Sequence, residues 1–110
     1  MKIAVTGSSG TVGKEVVDLC MADGHQVVQI DLAKPTSSAD SDVKIVDVAS
    51  DYHGFVDALR GCEALVHLAA IPNPVNRLDA TVHNSNVSAA FNGFRACGEL
   101  GTTRIAYASS

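Results

Sequence analysis

The chain has 110 residues, 46% of them apolar, and a formal net charge of −4. That suits one small domain with a real core. The eight basic residues are scattered from Lys2 to Arg104, so nucleic acid is not an expected partner. No apolar run approaches the length that spans a membrane, so no membrane is expected either. The opening Met1-Lys2-Ile3-Ala4-Val5-Thr6 reaches glycine too early for a signal peptide. A cytoplasmic location is therefore expected. Cys20, Cys62 and Cys97 sit beside apolar residues, form no C-x-x-C pair and read as buried, reduced thiols. The four histidines have no metal-ligand spacing, and no metal is expected.

Short β-type runs alternate with helical stretches. Lys2 to Thr6 reads as a strand that ends at glycines. Thr11 to Asp23 reads as a helix, because Val12, Val16, Val17 and Cys20 recur at helical spacing, and Gly24 marks its stop. Val27 to Ile30 is a second strand, closed by Asp31, and Lys34 to Asp42 is a polar surface loop. Val43 to Val46 is a third strand. Ser50 is the expected cap of a helix running through Arg60, with Phe55, Val56 and Leu59 inward and Gly61 past its end. Ala64 to Ala69 is a fourth strand, and Pro72-Asn73-Pro74 breaks the chain. A long helix follows from about Arg77 to Leu100, then Gly101 and a fifth strand from Arg104 to Ala108.

Strands one and four are almost uniformly apolar, as parallel strands covered on both faces should be. Right-handed crossovers then wind an α/β fold, a doubly wound parallel sheet of expected order 3-2-1-4-5. The serine-rich loop has no helical period, so plain coil is expected between strands two and three.

The segment Thr6-Gly7-Ser8-Ser9-Gly10-Thr11-Val12-Gly13 lies between the first strand and the first helix. Glycines there allow a sharp turn and the close approach of a pyrophosphate. The helix N-terminus offers N–H groups and the positive end of its dipole. The last glycine lets the helix pack closely on the sheet. Ser8 stands where the plain G-x-G-x-x-G form has its first glycine, so the spacing is G-x-x-G-x-x-G. An ordinary strand-to-helix turn is the competing reading of the glycines alone. Asp31 adds to them: it follows the second strand, 24 residues after Gly7, where a carboxylate accepts from a ribose 2′-OH and repels a 2′-phosphate.

With these residues the sequence resembles the extended short-chain dehydrogenase/reductases, the NAD-dependent epimerase/dehydratase family. Four further segments carry the resemblance: Asp47-Val48, His67-Leu68-Ala69-Ala70, Asn86-Val87 with Asn92, and Tyr107-Ala108-Ser109-Ser110. The resemblance implies a Rossmann domain over residues 1–110 with NAD as cofactor. It implies cofactor contacts from Gly7, Gly10, Thr11, Val12, Gly13, Asp31, Asp47, Val48, Leu68, Ala69, Ala70 and Asn86. Asp47 would face the adenine amino group and Val48 the adenine ring, while Asn86 orders the nicotinamide end. Ser110 matches the family's catalytic serine. Ile71-Pro72-Asn73-Pro74 would face the substrate, a sugar, nucleotide sugar or sugar acid. His67 reads as a packed, hydrogen-bonded residue rather than an acid or base. Phe91 and Phe94 read as packing residues, or as part of a homodimer face on the helix 77–100.

One part of the family pattern is not found. Its Y-x-x-x-K pair, in which lysine and cofactor lower the tyrosine pKa, has no match: four residues after Tyr52 stands Val56, and Tyr107 is three residues from the end. A cofactor-binding portion of a larger enzyme is therefore expected, with no turnover by these residues alone and one sheet face incompletely covered. A non-catalytic dinucleotide sensor is the alternative, separable by whether a tyrosine with a lysine four later follows Ser110. A methyl-donor-binding domain shares the glycine turn but not the Asp47-Val48 and Asn86 matches.

Overall fold

The computed structural model describes residues 1–33, 42–70 and 79–108. The elements run β1 (Lys2–Thr6), α1 (Thr11–Ala22), β2 (Gln26–Asp31), β3 (Val43–Ile45), α2 (Tyr52–Leu59), β4 (Ala64–His67), α3 (Asp79–Leu100) and β5 (Arg104–Tyr107). All neighbouring strands pair in parallel, in the order β3-β2-β1-β4-β5. This is the Rossmann sheet expected from the sequence. The order reverses on either side of β1, which pairs with β2 through Ile3 opposite Val27 and with β4 through Ile3 opposite Ala64. Such a reversal opens a crevice beyond the C-terminal ends of the strands.

Alternation along β1 divides the core. Ala4 faces the larger cluster, with Ile30, Leu65 and the α2 residues Phe55, Val56 and Leu59, closed by Ala89, Ala96 and Cys97 of α3. Ile3 and Val5 face the other side, where Val17 of α1 covers them. Phe55, Leu59, Ile30 and Leu65 are almost fully buried. Each large side chain so placed stabilises the fold by about 1.5–3 kcal/mol. On the α1 side, Val27, Ala64 and Val66 are partly buried, and the edge strand β5 leaves Tyr107 48% exposed.

Several expectations need correction. The cap of α2 is Asp51, whose carboxylate accepts from Gly54 N–H, not Ser50. Ser50 instead sits in a turn closed by its N–H to the Asp47 carbonyl. The strand β4 stops at His67 rather than Ala69: Leu68 N–H is shared between the Thr6 carbonyl at 3.2 Å and the Thr6 hydroxyl, and Ala69 N–H turns onto that hydroxyl. Val12 is 62% exposed, so the inward stripe of α1 rests on Val17 with Val16 and Cys20. Phe91, at 62% exposed, is not a packing residue of this chain, and Phe94 is half-exposed against the Tyr107 ring. Of the thiols, Cys62 and Cys97 are buried and Cys20 only partly so. Burial pushes the Cys62 and Cys97 thiols above their ordinary pKa, which keeps them protonated and inert. No group of metal-ligating side chains exists among the described residues. No helix there is long and apolar enough to cross a membrane.

Candidate functional site

The crevice at the sheet reversal is a groove of about 440 Å³. One wall comes from the loop after β1, through Gly7 and Gly10. A second comes from the end of β2, through Ile30, Asp31 and Leu32. A third comes from Val46, Asp47, Val48 and Ala49, and the fourth from Leu68–Ala70 after β4 with Ser85, Asn86 and Ala89 of α3.

The glycine loop is built by steric exclusion. Gly7 has φ +70°, and a Cβ there would lie 2.9 Å from Ala69 N and from Leu68 C. Only glycine lets the loop press on the β4 exit. A Cβ on Gly13 would collide with the Gly7 carbonyl, so this glycine makes room for the loop that precedes its helix. Gly10 differs. Its Cβ would meet nothing nearer than the Gly7 carbonyl at 3.4 Å, and its backbone is extended. Its lack of a side chain keeps space open rather than relieving a clash. Gly10 is also the N-cap of α1, and among the described residues no side chain caps that turn or places an acid in it. The N–H groups of the first turn are left for an outside acceptor, at the positive end of the helix dipole.

Asp31 is held from two sides. Its Oδ2 accepts from Ser9 N–H at 2.9 Å and its Oδ1 from Leu32 N–H at 2.6 Å. Each oxygen keeps a lone pair for another donor. Asp47 is fixed at the rim, with Oδ1 accepting from Ala49 N–H at 3.1 Å. Asn92, one turn beyond the groove on α3, donates Nδ2–H to the Val48 carbonyl at 2.8 Å and to that of Ala49 at 3.2 Å. It locks the β3–α2 turn against the helix.

Buried behind the groove wall, the Thr6 hydroxyl accepts from Leu68 N–H at 3.1 Å and Ala69 N–H at 3.2 Å, and lies 2.8 Å from His67 Nδ1. His67 is 4% exposed and stacks on Tyr107 with ring centroids 5.7 Å apart. Burial lowers its pKa, so the imidazole is neutral and packed, as expected from its place at a strand end.

Of the residues singled out in the sequence, the structure brings Gly7, Gly10, Asp31, Asp47, Val48, Leu68, Ala69, Ala70 and Asn86 together around one groove. Thr11, Val12 and Gly13 form the first turn of α1 and are not among its lining residues. Ser110 and Ile71-Pro72-Asn73-Pro74 lie outside the described residues. Thr6, Ser9, Ser85 and Asn92 do more than their sequence suggested. The signal for Thr6 and Ser9 is their position inside the glycine segment, where the glycines alone draw attention.

The family model described as "NAD dependent epimerase/dehydratase family" matches residues 3–110. The L-arabinose 1-dehydrogenase (NAD(P)(+)) of Haloferax volcanii is 34% identical over 109 residues, covering 99% of this chain and 41% of that protein. A short-chain dehydrogenase/reductase superfamily protein from Agrobacterium tumefaciens with bound NAD superposes at TM-score 0.83 and 28% identity, over all of this chain and 33% of that one. The UDP-glucose 4-epimerase of Thermus thermophilus in complex with NAD gives TM-score 0.80 at 25% identity, over 96% and 36%. The chain spans less than half the length of each.

Proposed function

We infer that this chain, which belongs to the NAD dependent epimerase/dehydratase family, binds NAD in the groove at the sheet reversal. In this reading it is the cofactor-holding part of an oxidoreductase, epimerase or dehydratase acting on a sugar, nucleotide sugar or sugar acid. The observation that carries it is the Asp31 carboxylate, fixed by Ser9 and Leu32 N–H in the groove that Gly10 also lines.

The residues present fit the group. Gly10 and the uncapped first turn of α1 would take the pyrophosphate, where N–H donors and the helix dipole favour an anion. Thr11, Val12 and Gly13 enter as the backbone of that turn. Asp31 would accept from the adenosine ribose, and Asp47 with Val48 would border the adenine. Leu68, Ala69, Ala70 and Asn86 would line the nicotinamide half. When bound, NAD supplies the hydride acceptor; the chain's own share is orientation and exclusion of water. Ser110, outside the described residues, would hydrogen-bond the substrate oxygen. The names of the relatives, an L-arabinose dehydrogenase and a UDP-glucose epimerase, support a carbohydrate substrate. The exposed Val87, Phe91 and Phe94 support pairing with a second copy through α3.

Calorimetric titration tests the reading. NAD should bind one-to-one to the wild-type chain, and Gly10→Val should abolish binding while the protein stays folded. Equal binding to both proteins would overturn it.

A further inference from the structure

Ser9 makes two contacts, both to the exit of β2. Its N–H donates to Asp31 Oδ2 at 2.9 Å, and its Oγ donates to the Ala33 carbonyl at 2.7 Å. The first contact is made by backbone and needs no particular side chain. The second needs a hydroxyl. Between them the chain bends: Leu32 N–H donates to Asp31 Oδ1, and Leu32 is 65% exposed. The Asp31 backbone is held by the β2–β3 ladder, with Val46 N–H donating to its carbonyl at 3.0 Å. Past that point, among the described residues, the Ser9 hydroxyl is the side chain that holds the segment at Ala33.

A 2′-phosphate on the adenosine ribose would need the carboxylate to withdraw and the segment after it to open. The neutral 2′-OH needs both to stay. We propose that Ser9 is a specificity-determining residue that acts through Asp31: its hydroxyl ties down the β2 exit, so the carboxylate stays in the groove and a 2′-phosphorylated dinucleotide is kept out. The proposal rests on the dinucleotide reading of the groove. Ser9 need not touch the ribose; it positions the residue that does. A single hydrogen bond at a partly exposed site is worth about a three- to tenfold change in an equilibrium.

The test is calorimetric titration of the full 110-residue chain with NAD and with NADP, for wild type, Ser9→Ala and Ser9→Thr. The expected result is a wild-type preference for NAD that narrows by about three- to tenfold in Ser9→Ala, chiefly because NADP binds better, and that Ser9→Thr restores. A ratio unchanged in Ser9→Ala overturns the proposal. So does an equal loss of both affinities, which would make Ser9 a general support of the loop. So does failure of Ser9→Thr, folded by circular dichroism, to restore the ratio. Failure of wild type to bind either dinucleotide would remove the dinucleotide reading, and this inference with it. A clear wild-type preference with no Ser9 effect removes this inference alone.

Discussion

The Thr6 hydroxyl lies 2.8 Å from His67 Nδ1 and takes the two N–H groups of Leu68 and Ala69 on its lone pairs. An oxygen that accepts twice has its own proton to give, so Thr6 donates to His67 and the imidazole proton sits on Nε2. Protonation of Nδ1 would remove that acceptor. Burial already holds the His67 pKa below its ordinary value. The unfolded chain therefore binds this proton first as pH falls. The contribution of His67 is fully present above about pH 6.5 and is lost progressively below it. The urea midpoint should fall between about pH 7.5 and about pH 5.5, and His67→Gln should fall less over the same range. Parallel losses in the two proteins would place the pH sensitivity elsewhere.

The three glycines should separate by readout. Gly7→Ala forces a Cβ into the left-handed region and onto Ala69 N, so it should cost about 1–2 kcal/mol of stability or more. Gly13→Ala should cost more still, because its Cβ meets the Gly7 carbonyl. Gly10→Val should leave the thermal midpoint nearly unchanged and remove NAD binding. The sequence alone grouped Gly7 with Gly10 as a binding glycine; Gly7 does line the groove, and its left-handed backbone and contact with the β4 exit add a structural demand that Gly10 does not have.

Asp31→Ala should weaken NAD binding by about 1–3 kcal/mol, the scale of a charge-assisted hydrogen bond. It should weaken NADP less, since a repelling charge leaves with the carboxylate. Calorimetry of both ligands checks this, and equal losses would separate Asp31 from the ribose.

Asn92→Ala should remove both links from α3 to the β3–α2 turn. The expected cost is about 1–2 kcal/mol in chemical unfolding. Binding of AMP, which samples the adenosine end alone, should weaken along with it. A destabilised protein with unchanged AMP affinity would show that the turn does not shape the groove.

The sheet order was legible because each β-type run is bounded by glycine, proline or an acid, and the apolar strands one and four could only be central. The groove was legible where motif residues line it directly, as with Asp31, Asp47 and Leu68–Ala70. What was not legible depends on contacts between distant segments. Asp51 caps α2 rather than its neighbour Ser50 because the turn from Asp47 sets the helix start one residue later. Val12 has helical spacing yet points outward, because Gly13 and Val17 are the α1 residues buried in the fold. No local pattern announces that the Thr6 hydroxyl would gather the N–H groups of residues more than sixty positions away.

The central claim, that the groove at the sheet reversal holds NAD, is tested most directly by following backbone amide resonances of the ¹⁵N-labelled chain during titration with NAD. Saturable shifts should concentrate at Gly7, Gly10, Thr11, Asp31, Asp47, Val48 and Ala69, with Leu19 and Met21 at the far end of α1 unchanged. Shifts that spread along the outer face of α1, or that spare Gly10 and Asp31 while NAD binds, would contradict it.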